Sequence, residues 1–342
     1  MKAIDWTLAA RVAGRLSGFH ALEDSYHFRH FERMASDLVG RAAELASAET
    51  GLPWVGDPVV AVVTRKEWAE ANLKAFGKLL EPAEERLSGK GFGRRLAARL
   101  MGAEVGALVG VLSKRVLGQY ELVLPSDGDR EADTVMFVGV NVFDMERRNE
   151  FRPDEFRFWV ALHECTHRLQ FTGVPWLRDH FLELVSALVE TSTPEPGRVQ
   201  RIRDEMREAA REGRPLVDER GLMGLLATPD QRDLIDRVQA LMSLLEGHGH
   251  VVMDRIGARV LVTQDRMARV LKMRRKDPRM AAFLRLTGLE MKMKQYEDGE
   301  RFILAVERRA GFAALDAVWS GPDAIPTLGE IKDPERWLTR VG

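Results

Sequence analysis

The sequence predicts a mainly helical α+β protein with one small sheet, and three observations carry that prediction. Apolar residues recur mostly at helical spacing along the 342 residues. Only three short stretches, 58–63, 121–124 and 134–142, have the composition of strands. Glycine and proline residues bound several of the helical patterns. With 45% hydrophobic residues, the chain can also fill a sizeable core.

In chain order, helices are expected over 25–48, over 66–87 with a break near Pro82, and over 92–117. The most apolar stretch, 101–118, carries Glu104, Lys114 and Arg115. It falls short of the roughly 20 apolar residues that span a bilayer, so it reads as a buried helix and no membrane span is expected. These elements make an N-terminal helical region with short strands, 1–130, packed on a second part, 131–342. No Pro-, Gly- or Ser-rich linker separates the two, so the boundary is soft and one domain is compatible with it. Further helices are expected over 154–171 and 176–190. A long one starts at Thr228-Pro229-Asp230-Gln231 and runs towards Gly257, with Thr228 as cap, Pro229 in the first turn and Gln231 closing a capping box. The charged segment 195–214 reads as a solvated helix face.

Lys and Arg number 51 against 52 Asp and Glu, which leaves no positive excess of the kind that marks nucleic-acid binders. One cysteine, Cys165, excludes an intramolecular disulfide framework. The N-terminal residues hold Asp5, Arg11 and Arg15 and no long apolar run before a small-residue cleavage site. A cytoplasmic protein is expected.

The strongest chemical signal is His163-Glu164-Cys165-Thr166-His167. Residues four apart share a helix face, so both imidazoles can be aimed at one ion, and Glu164 lies beside that face. Zinc brings a bound water towards a pKa of roughly 7, and a neighbouring carboxylate can then take its proton. Residues 156–162, Phe-Arg-Phe-Trp-Val-Ala-Leu, are apolar enough to bury this helix. Two histidines and a carboxylate there need partners, which Zn2+ would supply more readily than a dry core would.

Catalytic zinc takes three protein ligands, and the long helix offers Glu246-Gly247-His248-Gly249-His250. Val238, Met242, Glu246, His250 and Asp254 form an i, i+4 ridge, while His248 faces elsewhere. Glu246 is the preferred third ligand, His250 the alternative, and Asp254 a candidate to orient a ligand imidazole. Gly247 and Gly249 each cost a helix roughly 1 kcal/mol, which is understandable if its backbone packs closely on the His163 helix.

With these residues in place, the chain resembles an actinobacterial zincin-like metallopeptidase family whose naming associates it with deazaflavin coenzyme biosynthesis. The resemblance is nearly full length. It rests on residues 159–167, on Gly173-Val174-Pro175-Trp176-Leu177-Arg178-Asp179-His180, and on Leu245-Glu246-Gly247 with Val252-Met253-Asp254. Lys294-Gln295-Tyr296-Glu297-Asp298-Gly299 and Pro334-Glu335-Arg336-Trp337-Leu338 extend it towards the C-terminus. It implies a zincin-like fold with the metal helix below a small sheet, a gluzincin-like site with Glu246 as ligand, and a hydrolase without a named substrate.

In such a fold the last strand before the metal helix commonly runs beside an extended substrate, and 134–141 is placed to be that strand. Its ordinary alternative is a sheet strand packed on both faces. His180 and Tyr296 are candidate donors to a developing oxyanion. His20, His27 and His30 lack an acidic or cysteine constellation and read as a plain helix face. The expected activity is hydrolysis of a peptide or protein substrate, with small-molecule amides or esters as a variant. The alternative is a catalytically silent zincin-like binding or scaffold protein with a structural zinc.

Overall fold

A computed structural model describes residues 3–87, 92–121, 133–191, 229–275 and 290–342. The chain divides into two compact units, Met1–Pro175 with Val252–Val270, and Trp176–Val251 with Leu271–Gly342.

The first unit opens with α1 (Trp6–Ser17) and α2 (Tyr26–Thr50), followed by β1 (Val59–Val63), α3 (Arg65–Leu87) and α4 (Phe92–Leu112). Then come β2 (Gly118–Glu121), β3 (Thr134–Val138), α5 (Gly139–Asn149) and α6 (Pro153–Gly173). The three strands form one sheet in the order β1-β3-β2, with β3 parallel to β1 and antiparallel to β2. A boundary at residue 130 falls outside the described residues, and it would cut this sheet, whose outer strands precede it and whose central strand follows it.

The core of this unit explains where sequence periodicity alone goes astray. Helix α1 lies outside the helices expected from the sequence, although Leu8, Val12 and Leu16 stand at helical spacing. It is held by close approach: Gly102, Gly106 and Gly110, one turn apart on α4, take the backbone of Asp5, Ala9 and Ala13 so closely that a Cβ at any of them would clash. Asp5 caps α1 by accepting from the Leu8 N–H at 2.9 Å. Helix α3 runs through Pro82 without the expected break. Its C-terminal half is tied to the start of the chain by Glu84, whose carboxylate accepts from the Ile4 N–H and the Trp6 indole, and this offsets the hydrogen bond that Pro82 removes.

Strand β2 ends at Glu121, so the expected strand at 121–124 begins earlier, and residues 122–124 lie outside the described ones. Strand β3 stops at Val138, and the apolar run from 139 turns into α5. The switch follows from Gly139, which is packed against Phe28 and Val62 where a Cβ would not fit, and from Asn141. The Asn141 amide donates to the Ser113 and Val116 carbonyls, while its oxygen accepts from Arg65, contacts a strand position could not make. The apolar stretch 101–118 forms a helix only to Leu112, with Met101 on the exposed side.

The second unit holds α7 (Leu177–Thr191), most of α8 (Pro229–Val260), and, beyond α9 (Gln264–Arg275), helix α10 (Glu290–Ala310). Two 3-10 turns (Phe312–Ser320 and Pro322–Ala324), α11 (Leu328–Lys332) and α12 (Pro334–Val341) complete it. Its core gathers Leu244 and Val251 of α8, Phe302 and Val306 of α10, and Trp337 of α12. The expected cap at Thr228 and the charged segment 195–214 lie outside the described residues. No described helix is long and apolar enough to cross a membrane.

Candidate metal centre

Helix α6 is buried around almost its whole circumference from Phe156 to Gln170, which makes it the structural axis of the first unit. Arg168 ties it to the sheet. Its guanidinium, 1% exposed, donates to Asp133 at the start of β3 (2.6 Å) and to the carbonyls of Val55 and Gly56 before β1, and it lies over the Trp54 ring. A buried, multiply bonded arginine of this kind sets both rotation and height of the helix relative to the strands.

On that helix His163 and His167 are adjacent, ring centroids 4.5 Å apart and Nε2 atoms 3.2 Å apart. Among the described residues, one ligand atom each from His163, His167 and Glu246 lies within 4.8 Å of the others. Glu246 is buried on α8 at 4% exposure. The donor set suits zinc: ligands at about 2.1 Å from a tetrahedral ion lie about 3.4 Å from one another, close to the 3.2 Å between the two imidazole nitrogens. The two imidazoles on α6 thus have the chemistry and spacing of metal ligands, and Glu246 belongs with them to a group that could hold a metal ion.

Glu164, 5% exposed, points to β2. Its Oε2 accepts from the Tyr120 backbone N–H at 2.9 Å, and Gly118 faces its side chain so closely that a Cβ there would sit 2.8 Å from Oε1. The Val138 N–H donates to the Leu117 carbonyl, which, with the strand register, puts the main-chain groups of Gly118 and Tyr120 on the side of β2 away from β3. The reading of 134–141 as a substrate-side strand is therefore corrected. β3 is hydrogen-bonded on both sides, so it has no open edge, and β2 is the strand beside Glu164.

Other predicted residues go elsewhere. The His250 Nε2 lies 3.8 Å from Glu300 and is not in the group that could hold the metal. Asp254 accepts from the Gln264 amide at 2.7 Å. Arg255 and Arg259 both pair with Glu49. His248 is stacked on Phe312 and edge-on to Trp319. Gly247 does mark a close approach, to Gly299 of α10, and Gly299 in turn abuts the Ser243 carbonyl. His180 stands on α7 against Trp176; burial pushes its pKa below the ordinary histidine value, and the positive Arg237 adds to this. Tyr296 falls on α10, but its side chain lies outside the described ones. His20 lies 3.5 Å from Asp144, and His30 stacks on Tyr26. Cys165 sets its thiol on the Val39 carbonyl, and burial pushes its pKa up.

Three residues of the site escaped sequence reasoning. Gln170 places its Oε1 2.9 Å from the Nδ1 of His167, a pairing that i, i+3 spacing on α6 could have suggested. Gly118 and Tyr120 carried no local signal, because their role arises from strand pairing.

A family described as zincin-like metallopeptidase matches residues 4–338. No curated protein matches the chain. A crystal structure from Chloroflexus aurantiacus, described as a candidate hydrolase with a novel fold, is 31% identical with a TM-score of 0.71, and 98% of each chain is covered.

Proposed function

Because the chain belongs to the zincin-like metallopeptidase family, we propose that it is a zinc-dependent hydrolase of peptide bonds, with His163, His167 and Glu246 holding the ion and Glu164 as general base. The two imidazoles held together on one helix, their Nε2 atoms 3.2 Å apart, carry the reading. A zinc ion held there would supply Lewis acidity to the attacking water and the substrate carbonyl. Glu164 takes the proton that the attacking water loses and returns it to the departing nitrogen, so that the amide is cleaved with water as the only co-reactant. Tyr120 holds that carboxylate in place through its backbone N–H. The similarity to a candidate hydrolase supports hydrolysis as the reaction class.

The test is zinc content by elemental analysis of untagged protein, followed by peptide-library cleavage with Glu164→Gln as the inactive control. Near-stoichiometric zinc that is lost with Glu246→Ala, together with cleavage abolished by Glu164→Gln, supports the proposal. No zinc after reconstitution refutes it. Zinc without turnover of any peptide would replace it with a silent binding protein or a hydrolase of small amides.

A further inference from the structure

The hydrolytic scheme gives no role to Gln170 of α6. Gln170 is fully buried at 0% exposure, one turn beyond His167, with its amide oxygen 2.9 Å from Nδ1 of that imidazole. We propose that Gln170 is the positioning residue that makes His167 a metal ligand, by holding its ring in the Nδ1-protonated tautomer. The inference rests on the zinc reading above.

A neutral imidazole has one N–H and one lone pair, and whichever nitrogen faces a fixed acceptor keeps the proton. An amide oxygen beside Nδ1 therefore leaves the lone pair on Nε2, the nitrogen that lies 3.2 Å from His163 Nε2 on the metal side. Without that acceptor the Nε2–H tautomer becomes accessible, and in that form the nitrogen cannot bind a cation. Ligand histidines commonly have their second nitrogen held by a carboxylate, which also raises ligand basicity. Here the acceptor is a neutral amide, which selects the tautomer without adding negative charge. Both imidazoles and the tautomer-setting group sit on one helix, so the relation among them is set by helical spacing of three and four residues. The last turn of that helix is itself secured by the Val174 N–H, which donates to the Gln170 carbonyl at 3.3 Å.

The experiment compares wild type, Gln170→Leu and Gln170→Glu. Imidazole 15N resonances are recorded on metal-free protein at a pH above about 7.5, where an ordinary imidazole is neutral. Zinc affinity is then measured by chelator competition. The proposal expects His167 of the wild type as the Nδ1–H tautomer. In Gln170→Leu it expects a shift towards Nε2–H and a loss of zinc affinity of about 10- to 100-fold. Gln170→Glu, which keeps an acceptor, should restore both readouts. A Leu variant with wild-type tautomer and affinity overturns the assignment alone, as does a Glu variant as impaired as Leu. Wild type that binds no zinc overturns the zinc reading together with this assignment.

Discussion

Gly118 is the residue whose replacement separates stability from chemistry most sharply. An added Cβ would stand 2.8 Å from both Cγ and Oε1 of Glu164 and 3.0 Å from its Cδ. Carbon atoms in contact prefer about 3.5–4.0 Å, so Gly118→Ala must displace the carboxylate by about 0.7 Å or more. The obstacle is a side chain rather than backbone, so the fold can yield at a cost of about 1 kcal/mol. Catalysis cannot yield so cheaply, since a misplacement of about 1 Å costs about 100-fold in rate. The expected result is a kcat lowered about 10- to 100-fold, equivalent to about 1.4–2.7 kcal/mol in the barrier. Zinc content should be unchanged and Tm within a few degrees of wild type. Steady-state cleavage of a peptide substrate, with zinc analysis on the same samples, measures this. A Gly118→Ala protein with wild-type kcat would refute the placement of Glu164 against β2 as a catalytic requirement.

Three further outcomes follow from the same geometry. Gly299→Ala would drive a Cβ into the Ser243 carbonyl, a backbone obstacle, and should destabilise the protein by about 3 kcal/mol in thermal or denaturant unfolding; a change under 0.5 kcal/mol would contradict the close packing of α8 and α10. Cys165 should resist alkylation in the native protein and react fully in denaturant, because it is completely buried and its thiol is raised by that burial; rapid native labelling would argue against the packing of α6 on α2. Glu330 is held down to about 2, first by hydrogen bonds from Arg340 and then by the Thr327 backbone and hydroxyl. Its folded pKa lies below its usual 4.5, so the stabilisation is complete above that value and is lost as pH falls towards 2. Allowing for the partial exposure of Arg340, Glu330→Gln should cost about 2 kcal/mol at pH 7 and nothing near pH 2, and a pH-independent difference would refute the linkage.

The pairing of His163 and His167 on α6 was legible because helical spacing is a property of the local chain: four residues from His163 to His167 turn the ring positions onto one face wherever the helix lies. The mainly helical class followed from the same periodicity, and the strand at 58–63 from its β-branched run. Glu246 stood out as a candidate because a carboxylate beside an apolar stripe in a glycine-marked helix asks for a partner, while sequence could not say that Gly247 meets Gly299 of α10.

Long-range contacts decided the rest. Nothing local distinguishes a strand with two hydrogen-bonded neighbours from one with an open side, so which strand flanks Glu164 depended on β3 pairing with both β1 and β2. Residues 139–142 look like strand by composition, yet the Asn141 bonds to residues more than 20 positions away turn them into helix. Helix α1 exists through the glycines of α4, which periodicity does not register because they contribute space rather than apolar area. The sequence by itself determined the chemistry that α6 can offer, because that chemistry is written at intervals of three and four residues. Tertiary structure alone decided which backbone N–H holds Glu164, since strand order and register are set by contacts between segments far apart in the chain.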